Sequence, residues 1–205
     1  MSLHSINHPL AAHFINQLRD KNTTSEEFRR ICKQVTKIIA LEASRDLPLE
    51  FNKIDTPLVT MDAGFIERSV VVVSILRAGI GMVDPIAELF PKVEVGYVGM
   101  ERDEATAEAS TYYVKLPPLE KKTVFVVDPM LATGGSSAAV LEKVYDAGAD
   151  DVSFLCIVAA PEGIAKLENQ FRGLRIYAGA VDEKLNEQKY IVPGLGDFGD
   201  RLFGT

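Results

Sequence analysis

Hydrophobic and polar positions change rhythm near residue 69. Before it the spacing is helical. Pro9 can open a helix with Leu10, Phe14 and Leu18 in line, and Asp20-Lys21-Asn22-Thr23 breaks it. Thr24-Ser25-Glu26-Glu27 then reads as a capping box, in which the Thr24 hydroxyl accepts from the Glu27 N–H and the Glu27 carboxylate reaches back. Phe28, Ile31, Cys32, Val35, Ile38 and Ile39 follow on one helical face, and Arg29, Arg30, Lys33 and Lys37 are assigned to solvent. Beyond Ser69, short apolar runs alternate with helical segments. Val70–Leu76 is an apolar run, as expected of a strand buried on both faces. A helix is expected around residues 83–90, a strand at 93–100, a weakly alternating short strand at 112–116 and a buried strand at Thr123–Val127. A helix with Val140, Leu141 and Val144 on one face should stop at Gly148. A strand at 152–159, a helix opened by Pro161 with Ile164, Leu167 and Phe171 aligned, a stop at Gly173 and a strand at Arg175–Val181 complete the pattern. Strands alternating with helices predict an α/β protein, a mostly parallel twisted sheet flanked by helices, with sites at the carboxyl ends of the strands.

The 205 residues suit one domain, with residues 1–50 as N-terminal helices and residues 182–205 as a C-terminal segment appended to it. A net charge of -7 disfavours non-specific binding to nucleic acid or an anionic membrane, but still allows a local arginine pocket for an anionic substrate. No apolar stretch approaches the roughly 20 residues of a membrane span. MSLHSINHPL lacks the charged and apolar regions of a signal peptide, so a cytoplasmic protein is expected. Cys32 and Cys156 fall on apolar faces and read as small buried hydrophobes. His4, His8 and His13 have no metal-ligand spacing, so neither histidine catalysis nor a protein-ligated transition metal is expected.

The candidate chemistry begins where the Thr123–Val127 run ends. Asp128-Pro129-Met130-Leu131-Ala132-Thr133-Gly134-Gly135-Ser136 places an acid at a strand end and a Thr-Gly-Gly-Ser turn at a helix start. The carboxylate can accept hydrogen bonds from ribose hydroxyls, while the turn's N–H groups and the helix dipole can hold a phosphate. An ordinary strand-to-helix turn is the competing reading. No Lys follows the glycines of this turn and the turn does not contain G-x-G-x-x-G, which excludes a triphosphate loop and a dinucleotide fingerprint here. Arg77, in Leu76-Arg77-Ala78-Gly79-Ile80-Gly81, leaves the preceding strand at the same sheet edge, and Arg102 follows the next strand in Met100-Glu101-Arg102-Asp103. Either could be a plain surface arginine, but a pair on a phosphate edge suits bidentate anion binding. Near the C-terminus, Pro193, Gly194, Gly196 and Gly199 interrupt an apolar stretch containing Ile191, Val192, Leu195 and Phe198. That composition predicts a loop of fixed shape that can offer backbone N–H and C=O groups to a flat ligand.

The chain resembles the uracil phosphoribosyltransferases along nearly its whole length: HPLAAHF, LRDKNT, LRAGIGM, GMERDE, DPMLATGGS, AAPEGI and LNEQKYIVPGLGDFGDRLFGT occur in order. The resemblance implies a single phosphoribosyltransferase domain with a small N- and C-terminal hood over the active site. It implies a pentosyltransferase of pyrimidine salvage that moves ribose 5-phosphate from 5-phosphoribosyl 1-pyrophosphate to N1 of uracil, giving UMP and pyrophosphate. Mg²⁺ would arrive with the donor. Asp128, Pro129, Met130, Leu131, Ala132, Thr133, Gly134, Gly135 and Ser136 would bind that donor, and Arg77 and Arg102 its pyrophosphate. Ile191, Gly196 and Phe198 would bind uracil largely through backbone atoms, with Asp197 beside donor, base and reaction centre. Asp128, Arg77, Arg102 and Asp197 are the implied catalytic set. The base that takes the N1 proton stays open between Asp197, a pyrophosphate oxygen and water. Related enzymes carry two adjacent acids before the loop, whereas here Val127 takes the first place, so no metal ligand from the protein is implied. Phe198 stands where Ala is common in the family and could narrow the base pocket or pack outward. A homodimer or homotetramer and an effector such as GTP or CTP are also implied. The same fold serves RNA-binding regulators, which would need a basic stripe that the acidic balance does not favour.

Overall fold

The computed structural model describes residues 3–102 and 109–205, with the side chains of Arg102 and Ala109 outside the description. In chain order its first elements are β1 (Leu3–Ser5), α1 (Pro9–Arg19), α2 (Ser25–Ala43), β2 (Leu49–Asp55), β3 (Thr60–Ile66), β4 (Val70–Leu76), α3 (Ile80–Leu89), β5 (Glu94–Arg102) and β6 (Ala109–Lys115). Then come β7 (Thr123–Val127), β8 (Met130–Leu131), α4 (Gly135–Asp146), β9 (Asp151–Ala159), α5 (Pro161–Gln170), β10 (Arg175–Val181), β11 (Lys184–Leu185), β12 (Ile191–Val192) and α6 (Phe198–Phe203). The main sheet runs β1-β10-β9-β7-β4-β5-β6, with β8 beside β9. Its pairs are parallel except β5 with β6, which is antiparallel and irregular between Gly99 and Met100.

The apolar runs need two buried faces because successive side chains point to opposite sides of a sheet. Val70, Val72, Phe125, Val127, Leu155 and Ile157 pack with Ile31, Val35, Ile39, Met82 and Ile86 of α2 and α3. Val71, Val73, Val124, Val126, Phe154 and Cys156 pack with Val140, Leu141 and Val144 of α4 and Ile164 and Leu167 of α5. Thr24 caps α2 through both bonds of the expected box. In α1 the buried face is Ala11, Ile15 and Leu18, while Leu10 is exposed, so the expected stripe is rotated by one position toward α2 and β10. The basic face of α2 is also less idle than expected. Lys33 and Lys37 pair with Asp84 and Glu88 of α3, and Arg29 donates to the Leu202 carbonyl at 2.8 Å.

Parts that were not expected are the edge strand β1, the antiparallel hairpin β2–β3, the two-residue strands β8, β11 and β12 and the short helix α6. Every residue of β2 is exposed, including Leu49 and Phe51, and Leu58 and Val59 at the hairpin tip are exposed as well. Both cysteines are buried and free, and burial pushes the Cys32 thiol up to about 12, so neither is a nucleophile in this environment. Among the described residues, no helix is long and apolar enough to cross a membrane.

Candidate active site

Strand β7 carries Asp128 to the carboxyl edge of the sheet. From there the chain does not loop freely. The carbonyl of Pro129 accepts from the N–H groups of Ile157 and Val158, each at 3.0 Å, and that of Leu131 from Ala160 at 2.8 Å. Met130 and Leu131 thus form β8 along the end of β9, a strand inside the expected nine-residue loop. The turn itself is short. Gly134 adopts φ 75, a conformation that favours glycine, and α4 begins at Gly135 with no cap from Gly134 itself; the Thr133 hydroxyl accepts only a long 3.4 Å bond from the Gly135 N–H. A Cβ on Gly134 would also lie 3.1 Å from the Gly163 carbonyl, so α5 packs directly behind the turn. That packing brings in Lys166, which the sequence reading missed. Its amino nitrogen lies 3.9 Å from where a Gly135 Cβ would sit, adding positive charge to the N-terminus of α4. Nothing local marks Lys166, because its place depends on how the β9–α5 crossover folds back.

Asp128 accepts a 3.3 Å bond from the Met130 N–H. Burial pushes its carboxyl up to about 7, and that single bond pulls only weakly the other way. Asp128 therefore sits in a strained electrostatic setting that cationic or hydroxyl donors of a ligand would relieve.

The loop after β4 presses on the end of β7. A Cβ on Gly79 would stand 2.6 Å from the carbonyl oxygens of both Ile75 and Val127, so only glycine lets the two strand ends approach. Arg77, in this loop, reaches sideways: its Nη2 donates to Asp200 Oδ1 at 3.4 Å, and its guanidinium lies 5.9 Å from the Phe203 ring centre. Both members of the pair are more than half exposed, so it contributes no more than about 1 kcal/mol and can be exchanged for an anion. Arg102 ends β5, the other neighbour of β4, and its side chain lies outside the described residues. The strand ends of β7, β4 and β5 thus set Asp128, Arg77 and Arg102 in a row along one edge.

The C-terminal segment folds over this edge. Strand β12 pairs with β11, and Gly194 and Gly196 both have positive φ, 58 and 81. Asp197 caps α6, accepting from the Asp200 N–H at 2.9 Å. Phe198 is 2% exposed and packs edge-on against Phe28 at 4.9 Å. Arg201 lies over the other ring of that pair, 4.6 Å from the Phe28 centroid, and donates to the carbonyls of Leu195 and Asp20 at 2.7 and 2.6 Å. A cavity of about 300 Å³ opens between the two halves, lined by Met130 and Ala132 on one side and by Gln188, Lys189, Tyr190, Ile191, Gly196, Asp197 and Phe198 on the other. Phe198 therefore does not pack outward: it is anchored in the core against Phe28 and borders the cavity. Arg77, Asp128 and the 133–136 turn lie outside that lining. Among the described residues, no three His, Cys, Asp or Glu side chains gather as a metal-binding cluster.

Comparison with known proteins agrees with this architecture. A family model described as uracil phosphoribosyltransferase matches residues 5–205. The uracil phosphoribosyltransferase of Streptococcus mutans is 48% identical over 202 residues, covering 98% of this chain and 97% of its own. That of Geobacillus kaustophilus is 48% identical over 200 residues, 97% and 96% of the two chains. The solved structure of the AQ2163 protein from Aquifex aeolicus superposes with a TM-score of 0.94 at 36% identity, over 99% of this chain and 98% of that one. A hypoxanthine-guanine phosphoribosyltransferase from Bacillus anthracis, 11% identical with a TM-score of 0.52 over 76% and 79% of the chains, shares the fold.

Proposed function

The chain belongs to the uracil phosphoribosyltransferase family and is a pentosyltransferase that joins ribose 5-phosphate from 5-phosphoribosyl 1-pyrophosphate to N1 of uracil, and we propose that it does so between the β7–α4 turn and the C-terminal segment. The observation that carries this placement is the shared cavity, which sets the segment after Asp128 opposite Ile191, Gly196 and Phe198. In this reading the 5-phosphate sits on the weakly capped N-terminus of α4, with Lys166 adding charge. Asp128 accepts from the ribose hydroxyls. The phosphate is a remote anchor whose binding energy positions C1 for attack.

Loss of pyrophosphate leaves a cationic, oxocarbenium-like sugar and a strongly anionic leaving group, so the reaction needs charge stabilisation more than a covalent nucleophile. Arg77 is placed to trade its weak Asp200 partner for the leaving group, and Arg102 ends the adjacent strand. Asp128, once ionised, opposes the positive charge on the ribose. Mg²⁺ would come with the donor, held mainly by its phosphate oxygens, which are the hard ligands this ion prefers. Mg²⁺ would add charge neutralisation at the pyrophosphate. For the base, a fixed Ile191 carbonyl accepts from uracil N3–H and repels the acceptor N3 of cytosine, a mismatch costing about 1–3 kcal/mol. Asp197 lies on the cavity wall with one oxygen engaged by its own helix, and is the protein group best placed for the N1 proton.

We also assign the β2–β3 hairpin to self-association. An isolated two-stranded ribbon is marginal in water. This one exposes Leu49, Phe51, Ile54, Leu58, Val59, Met61, Phe65 and Ile66, an apolar surface that a second copy would cover. A Mg²⁺-dependent assay of UMP formation, run with uracil, cytosine and orotate, tests the base site. Uracil should be strongly preferred, and equal use of orotate would overturn selection by the loop backbone and give the choice of base to Lys189 on the cavity wall.

A further inference from the structure

We propose that Arg19 and Asp182 form a positioning pair that sets the shape of the base loop through the Gly194 peptide. The inference rests on the assignment of uracil to the Ile191–Phe198 segment. Arg19 is the last residue of α1, and Asp182 directly follows β10, with its N–H donating to the Ala159 carbonyl at 2.8 Å. Asp182 Oδ1 accepts from Arg19 Nη2 at 2.5 Å, and Oδ2 accepts from Arg19 Nη1 and from the Gly194 N–H, both at 2.8 Å. Arg19 Nη1 also donates to the Gly194 carbonyl at 2.7 Å. The donor and the acceptor of one loop residue are thus both held by a single ion pair.

Gly194 is the point where such a grip reaches the base. Its φ of 58 favours glycine, and an added Cβ would collide with the carbonyl oxygen of Ile191. The Gly194 α-carbon therefore backs directly onto the carbonyl assigned to uracil N3–H, and a shift of one moves the other. The fold itself has other fastenings for the elements that carry the pair. Helix α1 is anchored by Ala11, Ile15 and Leu18, and β10 by parallel ladders to β1 and β9. The Asp182 side chain is only 4% exposed, a costly place for a carboxylate unless its charge and lone pairs are matched. A packed apolar pair could fill the same space, but would not fix the direction of a peptide.

Kinetics of the full-length enzyme test the pair. Arg19→Lys keeps the charge but cannot engage Asp182 and the Gly194 carbonyl as a planar fork. It should raise the uracil KM by about tenfold to a hundredfold, the loss expected for charge-assisted hydrogen bonds, while the donor KM and kcat stay within about twofold. In Arg19→Ala, added guanidinium ion should lower the uracil KM again, which a loss of general packing would not allow. Gly196→Val serves as control for the base site. An unchanged uracil KM in Arg19→Lys beside a loss of uracil binding in Gly196→Val would overturn the positioning role alone. An unaffected uracil affinity in Gly196→Val would overturn the base-loop assignment and the inference with it. Parallel rises in both KM values in Arg19→Ala, without guanidinium rescue, would also refute it.

Discussion

Asp128→Asn should separate stability from catalysis, and the pH dependence of the separation is its signature. In the free enzyme the Asp128 carboxyl has been pushed from 3.8 to about 7 by burial. The folded protein then keeps a proton that the unfolded chain gives up near pH 4, so stability falls as pH rises from about 4 to about 7 and is level above that. Asn is nearly isosteric, retains an oxygen for the Met130 N–H and cannot ionise. At about 1.4 kcal/mol per pKa unit, the shift from 3.8 to about 7 makes Asn more stable by up to about 4 kcal/mol at alkaline pH. The advantage should shrink to about 1–2 kcal/mol near pH 5 and vanish below about pH 4. Urea unfolding of both proteins near pH 5 and pH 8, without substrates, reads this difference directly. Turnover should move the other way: loss of the anion that meets the ribose should lower UMP synthesis by at least about a hundredfold at neutral pH. A stability gap of the same size at both pH values would refute the burial of an ionisable acid. Near-wild-type turnover would refute its place beside the ribose.

Lys166→Met should raise the KM for 5-phosphoribosyl 1-pyrophosphate by about fivefold to tenfold and weaken its salt dependence, with uracil KM little changed; steady-state kinetics at two ionic strengths decide it. Gly196→Val should abolish uracil binding while the donor still binds, because the position has φ 81 and a branched side chain is strained there; calorimetry with each ligand separates the two. Replacing Phe51 and Leu58 by Lys should shift the protein toward the 22.4 kDa monomer, and sedimentation that still shows only the assembly would assign the interface elsewhere.

What the sequence determined by itself was set by short-range physics. The capping box at Thr24, the Pro9 and Pro161 helix starts, the positive-φ stops at Gly148 and Gly173 and the buried Thr123–Val127 strand all depend on a few neighbouring residues and the period of their burial. Asp128 at a strand end before a Gly-Gly turn was legible for the same reason. Elements whose side chains find their partners elsewhere were not. The β2–β3 hairpin buries neither face within one chain, so it carries no clean alternation, and the glycines around α6 hide a helix that Asp197 caps. The one-position rotation of α1 came from its seat against α2 and β10, not from its own periodicity. Lys166 behind the phosphate turn needed the β9–α5 crossover to close. Arg19 and Asp182 stand 163 residues apart in sequence, and only the folded sheet edge gives each a reason to be charged. Local backbone preference writes itself into neighbouring residues, whereas the matching of a buried charge to a distant peptide exists only once the chain has closed around both.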